Sequence, residues 1–371
     1  MTLHIFNPEH DIALAANLAN FTAPHAGRQL RNDLGFLPAF WAEAGDTVLV
    51  EHAPSAEKAY RRICHRLERL GFRQDSHTGN EGFPNWENSI PKLGISDVQP
   101  WGWDRAIRRE LERKGCAQTV LPSADGLERI RQLSHRRTSA QLLPYLRVEG
   151  TVGEAFECTA IEQVTDLLRR YDRVVLKAPW SSSGRGVRFC DAPRLNDKGE
   201  MINERWVRNV LSAQGSIMVE PYYDKVKDFG MEFSVDAEGR IHYLGLSLFH
   251  TVNGAYVGNV LATESAKQEM ISRYVSADLL EQVKQRIISS LNLDGYVGPF
   301  GIDMMVVNAQ HSSFNVQRST FNVHPCVELN LRRTMGHVAL ALSPREDDDI
   351  RGVMRVIYDG SHYKLKINKL R

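Results

Sequence analysis

The chain has 371 residues, 42% of them hydrophobic and 25% charged, with a formal net charge of +1 at pH 7. That is the composition of a soluble globular protein long enough for two or three domains and a sizeable core. The near-zero charge excludes a bulk field aimed at nucleic acid or a membrane, and no apolar run approaches the roughly 18 residues of a bilayer span.

The first strand candidate is "LHIF" (3–6), and the turn-formers Asn7 and Pro8 follow it. A helix-like stretch, "LGFLPAFWAEAG" (34–45), leads to a second strand, "DTVLVEH" (46–52). The αβ alternation continues through "SAEKAYRRICHRLERLGF" (55–72), whose apolar residues recur at three- and four-residue spacing. Residues 75–104 are rich in Gly, Pro, Asn and Trp and read as loops around short elements, with the tryptophans of "PWGWD" (100–104) as packing residues. The basic run from Arg105 to Lys114 alternates with acids at helical spacing, so it reads as a solvated helix face. Two more helices are expected near 124–133 and 137–146.

From about residue 150 the pattern changes. "AIEQVTDLLRRY" predicts a helix, "RVVLKAP" a strand, "ERWVRNVLSAQ" a helix and "SIMVEPYY" a strand. "MEFSVDAEGRIHYLGLSLF" predicts a hairpin whose arms meet at Glu238-Gly239. A long amphipathic helix covers 277–292, and "FGIDMMVVN" and "HPCVELNLR" are two further strands. The last 25 or so residues form a basic segment with no legible role.

Five scattered cysteines (Cys64, Cys116, Cys158, Cys190 and Cys326) include no C-x-x-C pair, so they read as free thiols of a reducing compartment. The N-terminus lacks the basic and apolar regions of a signal peptide. A cytoplasmic protein is expected.

Three constellations carry chemistry. In "VVLKAPWSSSGRGVRF" (174–189) an apolar strand ends in Lys177, and a Ser/Gly loop containing Ser182, Ser183, Gly184 and Gly186 follows. Such a loop wraps an anion with backbone N–H groups, and the lysine adds a point charge. The plain alternative is a surface loop after an edge strand. The lysine precedes the glycines, which excludes a P-loop, and neither the kinase set, H-E-x-x-H nor G-x-S-x-G occurs.

In "VELNLRR" (327–333) polarity alternates, so a strand here puts Glu328, Asn330 and Arg332 on one face. A carboxylate and an amide oxygen two residues apart suit a hard cation. The alternative is a half-buried strand with a solvated face. Asp303 argues against that, because it interrupts the apolar "FGIDMMVV", where an unpartnered charge is costly. Third, "IMVEPYYDKVKDFGMEF" runs from a buried strand into Glu220, Pro221 and two tyrosines, the form of an interdomain hinge that suits the edge of a flat base.

Taken in this order, the features resemble the ATP-grasp superfamily, in its E-x-N-x-R branch of carboxylate–amine ligases, over roughly residues 120 to 340. The resemblance implies an N-terminal α/β domain followed by a two-subdomain ATP-grasp fold, an α/β and α+β chain. Expected bounds are 1–120 for the N-terminal domain, 121–215 for the lysine and lid subdomain, 216–345 for the hinge and metal subdomain, and 346–371 for a tail.

It further implies ATP, with magnesium or alternatively manganese, and small-molecule carboxylate and amine substrates; neither nucleic acid nor membrane is an expected partner. Lys177 would meet the α/β phosphates under the lid of Ser182 to Gly186, and Glu220 and the backbone near Tyr222 would receive adenine. Glu232 is the first choice for ribose, with Asp228 as competitor. Asp303, Glu328 and Asn330 would bind metal, and Arg332 would stabilise charge in the reaction. The second phosphate lysine of the family is missing, and Arg137 stands in its place. A phosphotransferase on the same scaffold and a nucleotide-binding module without turnover are the alternatives.

Outside that span, "FNPEHDIALAAN" sets Asn7, Glu9, His10 and Asp11 just beyond the first strand, where open α/β sheets bind ligands. A turn with a helix cap is the other reading. "HTVNGAYVGN" (250–259) is either an acceptor-side loop or a plain one.

Overall fold

In a computed structural model of the chain, the described residues are 1–72, 84–90, 94–181, 186–191, 203–252, 255–309, 320–344 and 349–370. The N-terminal part alternates β1 (Thr2–Ile5), α1 (His10–Ala16), α2 (His25–Leu34), β2 (Thr47–Leu49), α3 (Ala53–Leu70), β3 (Asn85–Glu87), β4 (Asp97–Pro100) and α4 (Arg105–Arg113). Its strands form a parallel sheet in the order β3-β2-β1-β4. Leu3, Ile5, Val48 and Val98 are buried in it, as a parallel sheet covered by helices requires. At the head of α4, Asp104 accepts the N–H groups of Ala106 and Ile107 at 2.8 and 2.9 Å. Ile107 and Leu111 then face the core while the basic residues face out.

The helix expected over 34–45 is misplaced. Helix α2 ends at Leu34, and only Leu37–Phe40 form a buried 3-10 turn. Pro38 has no N–H to give to Leu34 O, so it fits the first turn of this short element but not the interior of a helix begun at Leu34.

Next come α5 (Ala124–Leu133) and α6 (Arg137–Leu142), the latter continued by a 3-10 turn over Leu143–Leu146. A second sheet follows from β5 (Phe156–Cys158), β6 (Arg173–Lys177), β7 (Val187–Asp191) and β8 (Ile217–Pro221), in the antiparallel order β5-β8-β6-β7. Helices α7 (Ile161–Tyr171) and α8 (Glu204–Gln214) cover it with Val164, Leu168, Val207 and Val210.

The predicted hairpin is β9 (Lys225–Val235) with β10 (Ile241–Ser247). Residues 250–259, considered as a loop, instead lie largely in β11 (Phe249–Val252) and β12 (Ala255–Leu261). After α9 (Glu264–Ser272) and α10 (Ala277–Ser290) come β13 (Gly298–Asn308), β14 (Phe321–Asn330) and α11 (Met335–Leu342). The hairpin β10-β9 extends through β13 to β14, and Phe233 and Phe300 stack at 5.1 Å in its core. The basic tail is a hairpin, β15 (Gly352–Tyr358) with β16 (Tyr363–Lys369), that completes a fourth sheet, β11-β12-β15-β16. Its Met354, Leu365 and Ile367 share one core with Phe36, Tyr60 and Trp101, so the two chain ends pack together.

The fold is therefore mixed: an α/β part with a parallel sheet, then α+β layers with antiparallel sheets. All five cysteines are buried as thiols. No helix among the described residues is long and apolar enough to cross a membrane.

Candidate active site

Lys177 ends β6 and is buried, with its Nζ 2.6 Å from Glu220 Oε2 on β8. The register explains the pair. Lys177 lies opposite Met218 and Val175 opposite Glu220, so lysine and glutamate point to the same side. Glu157 on β5 is also opposite Met218, which adds it to that face. There Arg137 places its Nη2 3.3 Å from Glu157 Oε1. One side of this sheet thus carries Arg137 and Lys177, each held by a carboxylate.

A second polar face belongs to the sheet of β9, β13 and β14. Asp303 lies opposite Glu328, and Gly301 stands between Asn330 and Glu232. Asn330 Nδ2 donates to Asp303 Oδ2 at 3.2 Å. Burial, then the neighbouring carboxylates of Glu328 and Glu232, push the Asp303 carboxyl up to about 8. That is the behaviour of an acidic face short of positive charge, and a divalent cation would supply it. The donor set fits magnesium through Asp303 and Glu328, with Asn330 Oδ1 as third oxygen once it leaves Arg332 Nη2, 2.8 Å away. Among the described residues no group of three or more His, Cys, Asp or Glu side chains is arranged around a metal, so the set depends on that amide.

Arg136 joins the two faces. Its Nη1 donates to Ala178 O and Ser181 Oγ, at 2.7 and 2.8 Å, and its Nη2 to Glu328 Oε1 at 2.7 Å. The sequence reading selected Arg137 and missed this neighbour. The string "HRRT" held the signal, since consecutive residues at a helix start diverge by about 100° and can serve two surfaces.

Arg332 lies just beyond β14. Its Nε and Nη2 are each 2.8 Å from an oxygen of Asp11, the pair being largely buried. Burial opposes its charge, but Asp11, Glu328 and Asp303 more than offset this and raise its affinity for the proton. Between Asp11, Trp180, Ser181, Glu328 and Asn330 remains a cavity of about 20 Å³, enough for one water-sized group.

The segment 7–11 therefore divides its work. Asn7 Nδ2 donates to Gly102 O at 2.8 Å, and His10 Nδ1 is 3.1 Å from Asp104 Oδ2, both deep in the protein. A side chain at Gly102 would collide with the His10 ring. These two residues fix the end of β1 to the loop after β4, whereas Asp11 turns to Arg332 and Glu9 to Arg31.

The nucleoside residues fare unequally. The Tyr222 N–H is spent on Arg173 O at 3.0 Å, and its ring lies 3.7 Å under the Arg173 guanidinium. Asp228 is half-buried and accepts from Lys225 Nζ at 2.7 Å. Glu232 was the first choice for ribose, and its position corrects that. It is 3% exposed and enclosed by Gly301 and Gly336, neither of which has room for a Cβ beside its carboxylate. His337 Nδ1 lies 3.0 Å away and accepts from the Thr334 N–H, so Glu232 faces the interior between β9 and α11 in this structure. Another buried side chain was not foreseen: His324, fully enclosed next to Tyr223, has no hydrogen-bond partner on either ring nitrogen among the described residues. Burial and then Lys177 lower its pKa to about 3, so it is neutral.

Of the lid, Ser182, Ser183 and Gly184 lie outside the described residues, as does most of 311–320. Gly186 is described. Its carbonyl accepts from Ala178 N at 2.8 Å and closes the stem of the loop over Ser181.

No known protein-family profile matches the chain, and no curated protein matches it. Among solved structures it is similar to N5-carboxyaminoimidazole synthetase from Staphylococcus aureus, at 11% identity and a TM-score of 0.46, over 97% of this chain and 83% of that one. A second is the biotin carboxylase domain of 2-oxoglutarate carboxylase from Hydrogenobacter thermophilus, in complex with MgADP (14%, 0.44, 81% and 62%). A third, assigned to the ATP-grasp superfamily, comes from Archaeoglobus fulgidus (13%, 0.41, 75% and 77%). The likeness is one of chain course. At TM-scores below 0.5 it says nothing of chemistry.

Proposed function

We propose that the chain is an ATP- and magnesium-dependent ligase of the ATP-grasp type that joins a carboxylate to an amine. One arrangement carries the reading. A cationic face with Lys177 and Arg137 and an oxygen-rich face with Asp303, Glu328 and Asn330 are bridged by Arg136, and Arg332 donates to Asn330 at the end of the second. Phosphates suit the first face and their counter-ions the second. In the proposed division, 1–120 serves substrate, 121–215 the lysine and lid, 216–345 the hinge and metal, and 346–371 the closing hairpin.

When bound, magnesium would neutralise phosphate charge at Asp303, Glu328 and Asn330. Lys177 exchanges Glu220 for phosphate oxygens, and Arg137 does the same from Glu157. The adenine edge lies along the hinge near Tyr222, and Asp228 remains as the ribose residue. Arg332, whose Nε–Nη2 edge is held by Asp11, turns the donors it releases from Asn330 Oδ1 and Arg333 O to the substrate carboxylate and to the charge that develops on it. A carboxylate oxygen bonds to the γ-phosphorus as the bond to the β-bridging oxygen breaks, giving an acyl phosphate and ADP. The amine nitrogen then bonds to the acyl carbon, phosphate leaves, and the amine gives up a proton. Such chemistry draws on positioning and charge more than on a strong base.

The test is a screen of small carboxylates, each with and without amino acids, for ADP and free phosphate. Phosphate release that requires both substrates supports the ligase. A stable phosphorylated product would replace it with a phosphotransferase, and the lack of any nucleotide binding would reject both.

A further inference from the structure

We infer that the crevice between α1 and α4, on the far side of segment 7–11 from Arg332, is a second small-molecule site that takes a small organic anion with an apolar body. The crevice lies over the carboxyl ends of β1 and β4. In the order β3-β2-β1-β4 the chain runs from β1 to one side through β2 and β3, then returns to β4 on the other. Loops leave β1 and β4 in opposite directions and open a gap, the place where open α/β sheets receive ligands. Here the gap is a cavity of about 530 Å³, the size of a metabolite rather than a solvent defect. A smaller one of about 240 Å³ adjoins it over the ends of β1 and β2, with Arg31, Glu110 and Lys114 lining both.

The lining selects the chemistry. Ala13, Phe21 and Ile107 supply an apolar wall. Arg31 is held at the back by Glu9 at 3.0 Å and by both oxygens of Glu110 at 2.9 and 3.0 Å, so its charge is already compensated. The charge of Asp104 is met by the first N–H groups of α4 and by His10. The lining keeps one positive charge in excess, with Arg31, Arg109, Arg113 and Lys114 against Glu9, Asp104 and Glu110. Arg109 pairs with Glu112 at 3.3 Å and Lys114 with Glu110 at 3.0 Å, whereas Arg113, one helical turn from Arg109 on α4, makes no ion pair among the described residues. A carboxylate or a phosphate monoester satisfies these groups equally, while its body packs on Phe21 and Ile107.

Segment 7–11 is the partition between this site and the cleft. Asn7, Glu9 and Ala13 line the crevice, whereas His10, Asp11 and Leu14 line the small cavity beside Arg332. The inference therefore does not rest on the nucleotide reading.

Saturation-transfer NMR and calorimetry with two defined probe sets, aromatic carboxylates and sugar phosphates, test it on the full chain, with inorganic phosphate as control. A member of one set should bind with a Kd below about 1 mM, and which set it belongs to identifies the anion. Arg109→Glu/Arg113→Glu should weaken that binding by about tenfold or more, as expected for lost charge-assisted contacts. Both positions are exposed, so the melting temperature should hold, and ATP-analogue binding should not change. The inference is overturned if neither set binds, if the variant binds as well as the wild type, or if the ATP analogue displaces the probe. A protein that binds the probe but no nucleotide would sink the ligase proposal and leave this one standing.

Discussion

Arg332 and Asp11, 321 positions apart in sequence, meet in a two-pronged ion pair with both contacts at 2.8 Å. The pair ties the first helix to the end of the strand that bears Glu328 and Asn330. It also aims the guanidinium, because an arginine held on one edge by a carboxylate presents its remaining donors in a fixed plane. Asp11→Asn should therefore cost about 2–3 kcal/mol of stability, somewhat less than the roughly 3–5 kcal/mol for breaking a fully buried pair, because both side chains retain some solvent contact. Turnover should fall further than ATP affinity. Urea unfolding and steady-state kinetics on the one variant check both.

Arg332→Lys keeps the charge and loses the planar fork. Turnover should drop roughly 100-fold, the scale of removing one oriented donor from a transition state. ATP affinity should change much less, since Lys177 and Arg137 are untouched. Equal losses in both would make Arg332 a ground-state nucleotide contact.

Lys177 and Glu220 are each less than a tenth exposed at their side chains. Lys177→Met strands a buried carboxylate and should cost about 3–5 kcal/mol. Adding Glu220→Gln should restore most of that stability without restoring nucleotide binding. A double variant that binds ATP like the wild type would remove Lys177 from the phosphate site.

The two arginines that open α6 should separate cleanly. Arg136 contacts Glu328 and the exit of the lysine strand, whereas the Arg137 guanidinium pairs with Glu157 on the cationic face. Arg136→Ala should raise the magnesium concentration needed for half-maximal activity, and Arg137→Ala should raise the KM for ATP. The reverse pattern would exchange their roles.

Much of this geometry was legible in the chain. A period of two in "VELNLRR" put Glu328 and Asn330 on one face, and Asp303 stood out because a charge in "FGIDMMVV" demands a partner. Their direct pairing across β13 and β14 was not legible, because register depends on the turn and on the bulge between Asp303 and Met305. Glu232 misled for a related reason. Strand β9 is covered on both faces, so alternation could not distinguish an inward carboxylate from one facing a ligand. Arg136 was passed over because sequence does not fix the rotation of a helix about its axis. The tail hairpin could have been found. "YKLKINK" alternates polar and apolar residues, and Asp359-Gly360 precedes it as a turn.

The central claim is that Lys177 and the Asp303–Glu328 face bind one magnesium nucleotide between them. Calorimetric titration of a nonhydrolysable ATP analogue, with magnesium and with a chelator, tests it most directly on the wild type and on Glu328→Gln. The wild type should bind the analogue about tenfold or more tightly with magnesium, and Glu328→Gln should bind it weakly and equally in both conditions. Binding by the wild type that ignores magnesium, or a Glu328→Gln variant with the full magnesium response, would contradict the account.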